Sequence, residues 1–157
     1  MNVAPGSGSN RLVVASFVLV FVVATVTFGY TWQGQMAFIQ RDDVTATATS
    51  AEVTSVDDGT VTVRIRINNP TSKPVRILGG SIFGQLDGED VIREGTGAVP
   101  DERVPAGGSR TMTVECRFAD RDPDQETIDR IRNGDLRVVG LLSVRMVDKR
   151  FDVEVSP

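Results

Sequence analysis

The 157-residue chain has no histidine, one cysteine (Cys116), one tryptophan, one tyrosine, and only two lysines (Lys73 and Lys149) among its 17 basic residues. Without histidine there is no Ser-His or Cys-His nucleophile pair and no imidazole metal ligand. One cysteine excludes an intramolecular disulfide and a cysteine zinc cage. Acidic residues are missing from the first forty positions, which carry Arg11 as their single charge. The remainder holds 21 acidic and 16 basic residues, a formal charge of about −5 against −4 for the whole chain. Phosphate backbones select basic faces, so that sign disfavours nucleic acid as a partner. An acidic, Arg-rich, Lys-poor composition fits a high-salt organism or a high-GC genome. No acid–base pair, cofactor fingerprint or metal-ligand set stands out, so the expectation is a protein without catalytic activity, cofactor or metal.

What is present first is a long apolar run, RLVVASFVLVFVVATVTFGYTW, from Arg11 to Trp32. As a helix its 21 uncharged residues, Leu12 to Trp32, would span roughly 31 Å, which matches a hydrocarbon core of about 30 Å. Its apolar residues fall all round, with no amphipathic stripe. Tyr30 and Trp32 stand at the far end, where interfacial aromatics belong. A cleavable signal has a shorter apolar region and a small-x-small cleavage site, and neither is found here. The sequence therefore predicts an uncleaved single-pass anchor over residues 11–32, in contact with the lipid bilayer through residues 12–32. It also predicts a cytoplasmic tail over 1–10, a linker over 33–43, and an extracellular domain over 44–157.

After Asp43 the pattern changes to alternation. In TVTVRIRIN, Val61, Val63, Ile65 and Ile67 share one face; in RTMTVECRF, Met112, Val114, Cys116 and Phe118 do the same; FDVEV repeats it. Period two marks half-buried antiparallel strands. Less regular strands are expected at Val44–Val56, Val75–Leu86, Val91–Gly95 and Leu136–Val147. Asp57-Asp58-Gly59 and Asp87-Gly88 are hairpin signals, and NNPTSKP and VPAGGS read as loops. One helix is expected over Pro123–Asn133, with Asp122 as cap, Pro123 in the first position, Gln125 in a capping-box-like place and Gly134 as terminator. About seven strands at this spacing imply a mainly β domain, an immunoglobulin- or fibronectin-like antiparallel β-sandwich with one short helix.

Three stretches, VTVRIRINNPTSKPVRI, VPAGGSRTMTVECRF and IRNGDLRVVGLLSVRMVDKRFDVEV, give residues 44–157 a resemblance to the late-embryogenesis-abundant (LEA) type 2 family, also called the water-stress and hypersensitive-response domain. Asn69-Pro70 fits the family's Asn-Pro feature, although Thr71 stands where a second Asn is often found. The resemblance implies a sandwich fold, a role in desiccation or stress tolerance, frequent membrane anchoring, and no catalytic residues.

Candidate sites can be weighed residue by residue. Asp120, Asp122 and Asp124 alternate as in a calcium loop, but Gln125 and Ile131 occupy the places that need Gly and Glu, so helix capping explains them better. Arg64, Arg66 and Arg76 could form an anion-binding stripe, against the plainer reading of solvated outward arginines. Cys116 falls on an apolar face and reads as a buried, inert thiol. Gly95-Thr96-Gly97 lacks the context of a phosphate loop. The functional expectation is a membrane-tethered, non-enzymatic stress or binding domain that contacts an unknown partner protein, apolar ligand or envelope component. The alternative is a structural subunit of a cell-surface assembly.

Overall fold

The computed structural model describes residues 7–94 and 102–157; for residues 7–13, 30, 33, 34 and 94 it describes the backbone alone. The first six residues of the expected tail, the side chains of Arg11 and Tyr30, and Gly95-Thr96-Gly97 lie outside the described set. The chain divides after Met36 into two compact units.

The first unit is built from helix α1, Ser7–Ile39. Its side chains from Val14 to Gly29 are all exposed. Thr25, Thr27 and Thr31 each donate a hydroxyl hydrogen bond to the carbonyl four residues earlier, at 2.8, 2.8 and 3.0 Å, so the helix absorbs its own polar side chains. Phe28 stacks on Trp32 at 6.0 Å. Among the described residues no helix is long and apolar enough to cross a membrane. The anchor expected over residues 11–32 is corrected to an exposed apolar helix, and the single-pass membrane placement with an extracellular domain loses its support.

The second unit is mainly β. A 3-10 turn, Gln40–Asp43, leads into β1 (Thr45–Ser55), β2 (Thr60–Asn69), β3 (Val75–Leu86), β4 (Glu89–Glu94), β5 (Arg103–Val104), β6 (Gly108–Phe118), helix α2 (Gln125–Asn133), β7 (Arg137–Met146) and β8 (Lys149–Ser156). Hydrogen bonding runs β4-β6-β2-β1-β8-β7-β3, and β3 pairs back onto β4. Seven strands thus close a ring, with β5 added outside it on the start of β3. The expected immunoglobulin-like sandwich is corrected to a closed barrel. The reason lies in β3, which pairs with β7 from Val75 to Gln85, with β5 at Val75 and Arg76, and with β4 from Phe83 to Leu86. A sandwich would leave those residues as an edge; closure removes the edge.

Strand alternation fixes the interior. Val61, Val63, Ile65 and Ile67 of β2 and Met112, Val114, Cys116 and Phe118 of its neighbour β6 all point into the core and are buried. In β3 the buried set begins at Val75 and Ile77 but continues at Ile82 and Leu86, because a register shift between Ile77 and Gly79 reverses the inward face. Such a bulge bends and coils its strand. Close strand approach explains two glycines. A Cβ on Gly80 would sit 2.6 Å from the Leu141 carbonyl oxygen, and one on Gly140 would run into that of Ser81.

Helix α2 begins two residues later than the sequence suggested. Asp124, not Asp122, is its cap, accepting the Thr127 backbone N–H at 2.7 Å. Gln125 reaches Asp129 rather than completing a capping box. Gly134 ends the helix in the left-handed region at φ 88°, as expected. Ile128 and Ile131 are its buried face.

The alternation assigned to β2 predicts a sharp contrast in stability. Ile65→Ala should cost about 2–5 kcal/mol through lost burial and a residual cavity, whereas Arg66→Ala on the outer face should stay within about 0.5 kcal/mol. Denaturant midpoints of the two full-length variants check this, and equal shifts would contradict the register.

Candidate binding surface: an arginine row and the loop brace beneath it

Two loops that are far apart in sequence meet under one end of the barrel. Asn69, at the end of β2, is fully buried, and Thr71 is 1% exposed. The Asn69 side-chain amide donates to the carbonyls of Lys73 and Pro105, both at 2.9 Å. Its oxygen accepts the Thr71 hydroxyl at 2.7 Å and the Thr71 backbone N–H at 3.2 Å. The Gly107 N–H then donates to the Thr71 carbonyl at 3.0 Å. The Asn-Pro loop and the Pro-Ala-Gly-Gly turn are therefore one polar unit. Buried amides of this kind are retained only where their bonds are made. Asn69→Ala would orphan several of these groups at about 1–3 kcal/mol each. The variant should unfold at clearly lower denaturant, whereas Asn68→Ala, one residue earlier and exposed, should not.

Lys73, held by this brace, opens onto a cleft of about 500 Å³ lined also by Pro74, Val75, Arg76, Arg103, Arg145 and Val147. The cations reach it through strand register. Arg76 is opposite Arg103 on β5 and opposite Arg145 on β7, and Arg145 is opposite Arg150 on β8. Each follows or precedes a core residue by one position, so all four side chains project from the outer face. The β7–β8 connection is a two-residue turn, Val147-Asp148, with Val147 at φ 55°. A β-branched residue in the left-handed region is strained, and glycine is the usual occupant of a first turn position with positive φ.

The stripe expected from Arg64, Arg66 and Arg76 is split. Arg64 pairs with Glu52 at 2.7 Å and Arg66 reaches Ser109 at 3.3 Å, both on β2. That strand is separated from Arg76's strand by β1, β8 and β7. Sequence reasoning missed Arg103, Arg145 and Arg150. The last two are symmetric about Val147-Asp148 and would have been seen as partners had that dipeptide looked like a turn. Cys116 is fully buried and forms no disulfide. Asp124 is spent on the helix cap, while Asp120 and Asp122 are exposed. Among the described residues no three potential ligands are grouped to hold a metal ion.

Helix α2 is tied to the β3–β4 turn, where Asp87 accepts two hydrogen bonds from Arg130 at 2.7 and 3.1 Å. That hydrogen bonding, and then the guanidinium charge, holds the Asp87 carboxyl below its ordinary value of 3.8. Hydrogen bonding from Thr127, first by its side chain and then by its backbone, lowers Asp124 in the same way. A carboxyl whose folded pKa is depressed stabilises the fold above its unfolded pKa, and that contribution is lost as pH falls through the folded value. Asp87→Asn should therefore melt below wild type near neutrality, and the gap should close as pH drops below about 4. A gap unchanged down to acid would assign the effect to something other than this ion pair.

The arrangement as a whole is that of a closed, side-chain-filled barrel with a cationic surface cleft. No family model matches the chain, and no curated protein matches it. Among solved structures it is similar to a protein from Archaeoglobus fulgidus, at 16% identity over 71% of this chain and 90% of that one, with a TM-score of 0.38. It is similar also to a structural-genomics target solved by X-ray diffraction (11% identity, 73% and 80% covered, TM-score 0.42). A third likeness is to the solution structure of a protein provisionally assigned to the LEA proteins (15% identity, 88% and 83% covered, TM-score 0.41).

Proposed function

We propose that the chain is a non-catalytic binding protein of the desiccation- and stress-tolerance kind, similar to LEA type 2 proteins, working through its outer surface on a partner molecule. The observation that carries this reading is the Asn69 brace. The Asn-Pro loop and the Pro-Ala-Gly-Gly turn, on which the resemblance to that family rests, interlock through buried hydrogen bonds. Thr71, at the position where the sequence departs from the family pattern, supplies the hydroxyl that completes the same network. The barrel interior is filled by Ile, Val, Leu and Met side chains, which directs binding to the outside. Full-length protein mixed with a labile enzyme before drying should preserve more of that enzyme's activity on rehydration than albumin does at equal mass. Protection no better than albumin's would sink the stress-tolerance reading.

A further inference from the structure

Helix α1 is apolar on every side, but its aromatic side chains are not spread evenly. Phe17, Phe21, Phe28 and Trp32 are the aromatic residues of the first unit whose side chains are described. They recur at spacings of four, seven and four positions. At about 100° per residue they fall within an arc of about 60° on one face of the helix. Val14 and Val18 flank them, while Leu19, Val22, Val23 and Val26 stand on the opposite face. The four aromatic residues are 78, 71, 68 and 54% exposed. Val14, Phe17, Val18 and Phe21 line a hollow of about 410 Å³ with no polar residue in it. Their spacing, i, i+3, i+4 and i+7, is that of the four-residue hole that receives one side chain of a facing helix. Thr25, at the border of the stripe, returns its hydroxyl to the Phe21 carbonyl at 2.8 Å, so it can enter a dry contact with its hydrogen bond already made.

We propose that α1 is a self-association element, in which the Phe17-Phe21-Phe28-Trp32 stripe packs against the same stripe of a second copy of this chain. Area supports that occupant. At roughly 150–250 Å² per aromatic side chain, the four leave about 500 Å² in solvent. Val14 and Val18, 61 and 57% exposed, bring this to about 600 Å². A specific dimer buries about 600–1,000 Å² per partner, so one stripe meeting its own copy reaches that range. The contact is self-complementary, as a two-fold interface requires. Charge points to the same place. The first forty positions hold no acidic residue and Arg11 alone among basic ones, so two helices meet without the mutual repulsion that an acidic remainder imposes between domains. The proposal concerns the first unit alone and is independent of the stress-tolerance reading.

Sedimentation of full-length protein over a dilution series tests this, with two double variants that remove equal numbers of apolar side chains. Wild type should sediment as a dimer or larger species that dissociates on dilution. Phe21→Thr with Phe28→Thr, on the stripe, should weaken association by about tenfold or more. Val22→Thr with Val26→Thr, on the opposite face, should leave it near wild type. Thiol cross-linking then reads the contact directly, because Cys116 is the single cysteine and is buried. Under mild oxidation Ala24→Cys, between Phe21 and Phe28 on the stripe, should give a covalent dimer, whereas Val26→Cys and wild type should give little. A monomer at every concentration would overturn the proposal. So would equal weakening by the two double variants, which would mean undirected apolar clustering, or equal cross-linking through Ala24→Cys and Val26→Cys. A chain that stays monomeric and binds only phosphatidylcholine vesicles would assign the stripe to lipid and overturn it as well. Drying protection retained by a monomeric stripe variant would leave the stress reading standing whatever the fate of the dimer.

Discussion

Closure of the sheet through β3 is the constraint on which the rest of the domain depends. One strand pairs with β7 along most of its length, with β5 at its start and with β4 at its end. It can do so because the register shift between Ile77 and Gly79 bends it and reverses its inward face partway along. Without that bend the first half of β3 would bury Val75 and Ile77 while its second half turned Ile82 and Leu86 toward solvent. With it, both halves feed one core. The same strand carries Arg76 into the middle of the cationic row, so the device that closes the barrel also assembles the surface cleft.

The cleft and the brace illustrate two ways in which a sheet end can be organised. Beneath, Asn69 and Thr71 are removed from water and have their hydrogen bonds met by the protein itself. Above, arginines remain in contact with solvent and are set side by side at a cost in repulsion. The first arrangement gives rigidity, holding Lys73 and the β5–β6 turn in fixed places. The second sets cationic side chains in fixed register on that rigid frame.

Much of the fold was legible in the sequence. β2, β6 and β8 alternate cleanly and were assigned with the correct faces, and the Asp57-Asp58-Gly59 and Asp87-Gly88 turns are where glycine and aspartate placed them. The irregular runs, Val44–Val56 and Val75–Leu86, are irregular because they hold the bulges of β1 and β3, at Ala48/Ser50 and Ile77/Gly79. A strict period of two cannot represent a strand that changes its inward face. Closure was not legible because the pairings β1–β8 and β4–β6 join strands distant in sequence, and nothing local distinguishes a barrel strand from a sandwich strand. The cationic cleft was hidden for a related reason. Arg103 lies in a two-residue strand, and Arg145 and Arg150 become neighbours only through a turn at Val147-Asp148 that propensity argues against. Helix α2 was placed two residues early because Asp122-Pro123 and Asp124-Gln125 offer competing starts, and the second of the two captures Thr127.

The ring has one seam unlike the others. β1 and β8 run parallel and share only the pairs Ala46↔Val155 and Thr47↔Ser156, helped by the Ser156 hydroxyl donating to the Ala46 carbonyl at 3.4 Å across 110 positions of sequence. Every other join is longer or closes a shorter loop. A contact of such sequence separation yields its enthalpy only after most of the chain's entropy has been surrendered. During synthesis, which proceeds from the amino end, the sheet must wait as an open, curved ribbon until β8 has emerged. The barrel is thus a clasp whose last strand is its pin, and the time spent unclasped is the interval in which the free edge of β1 is open to pairing with another chain.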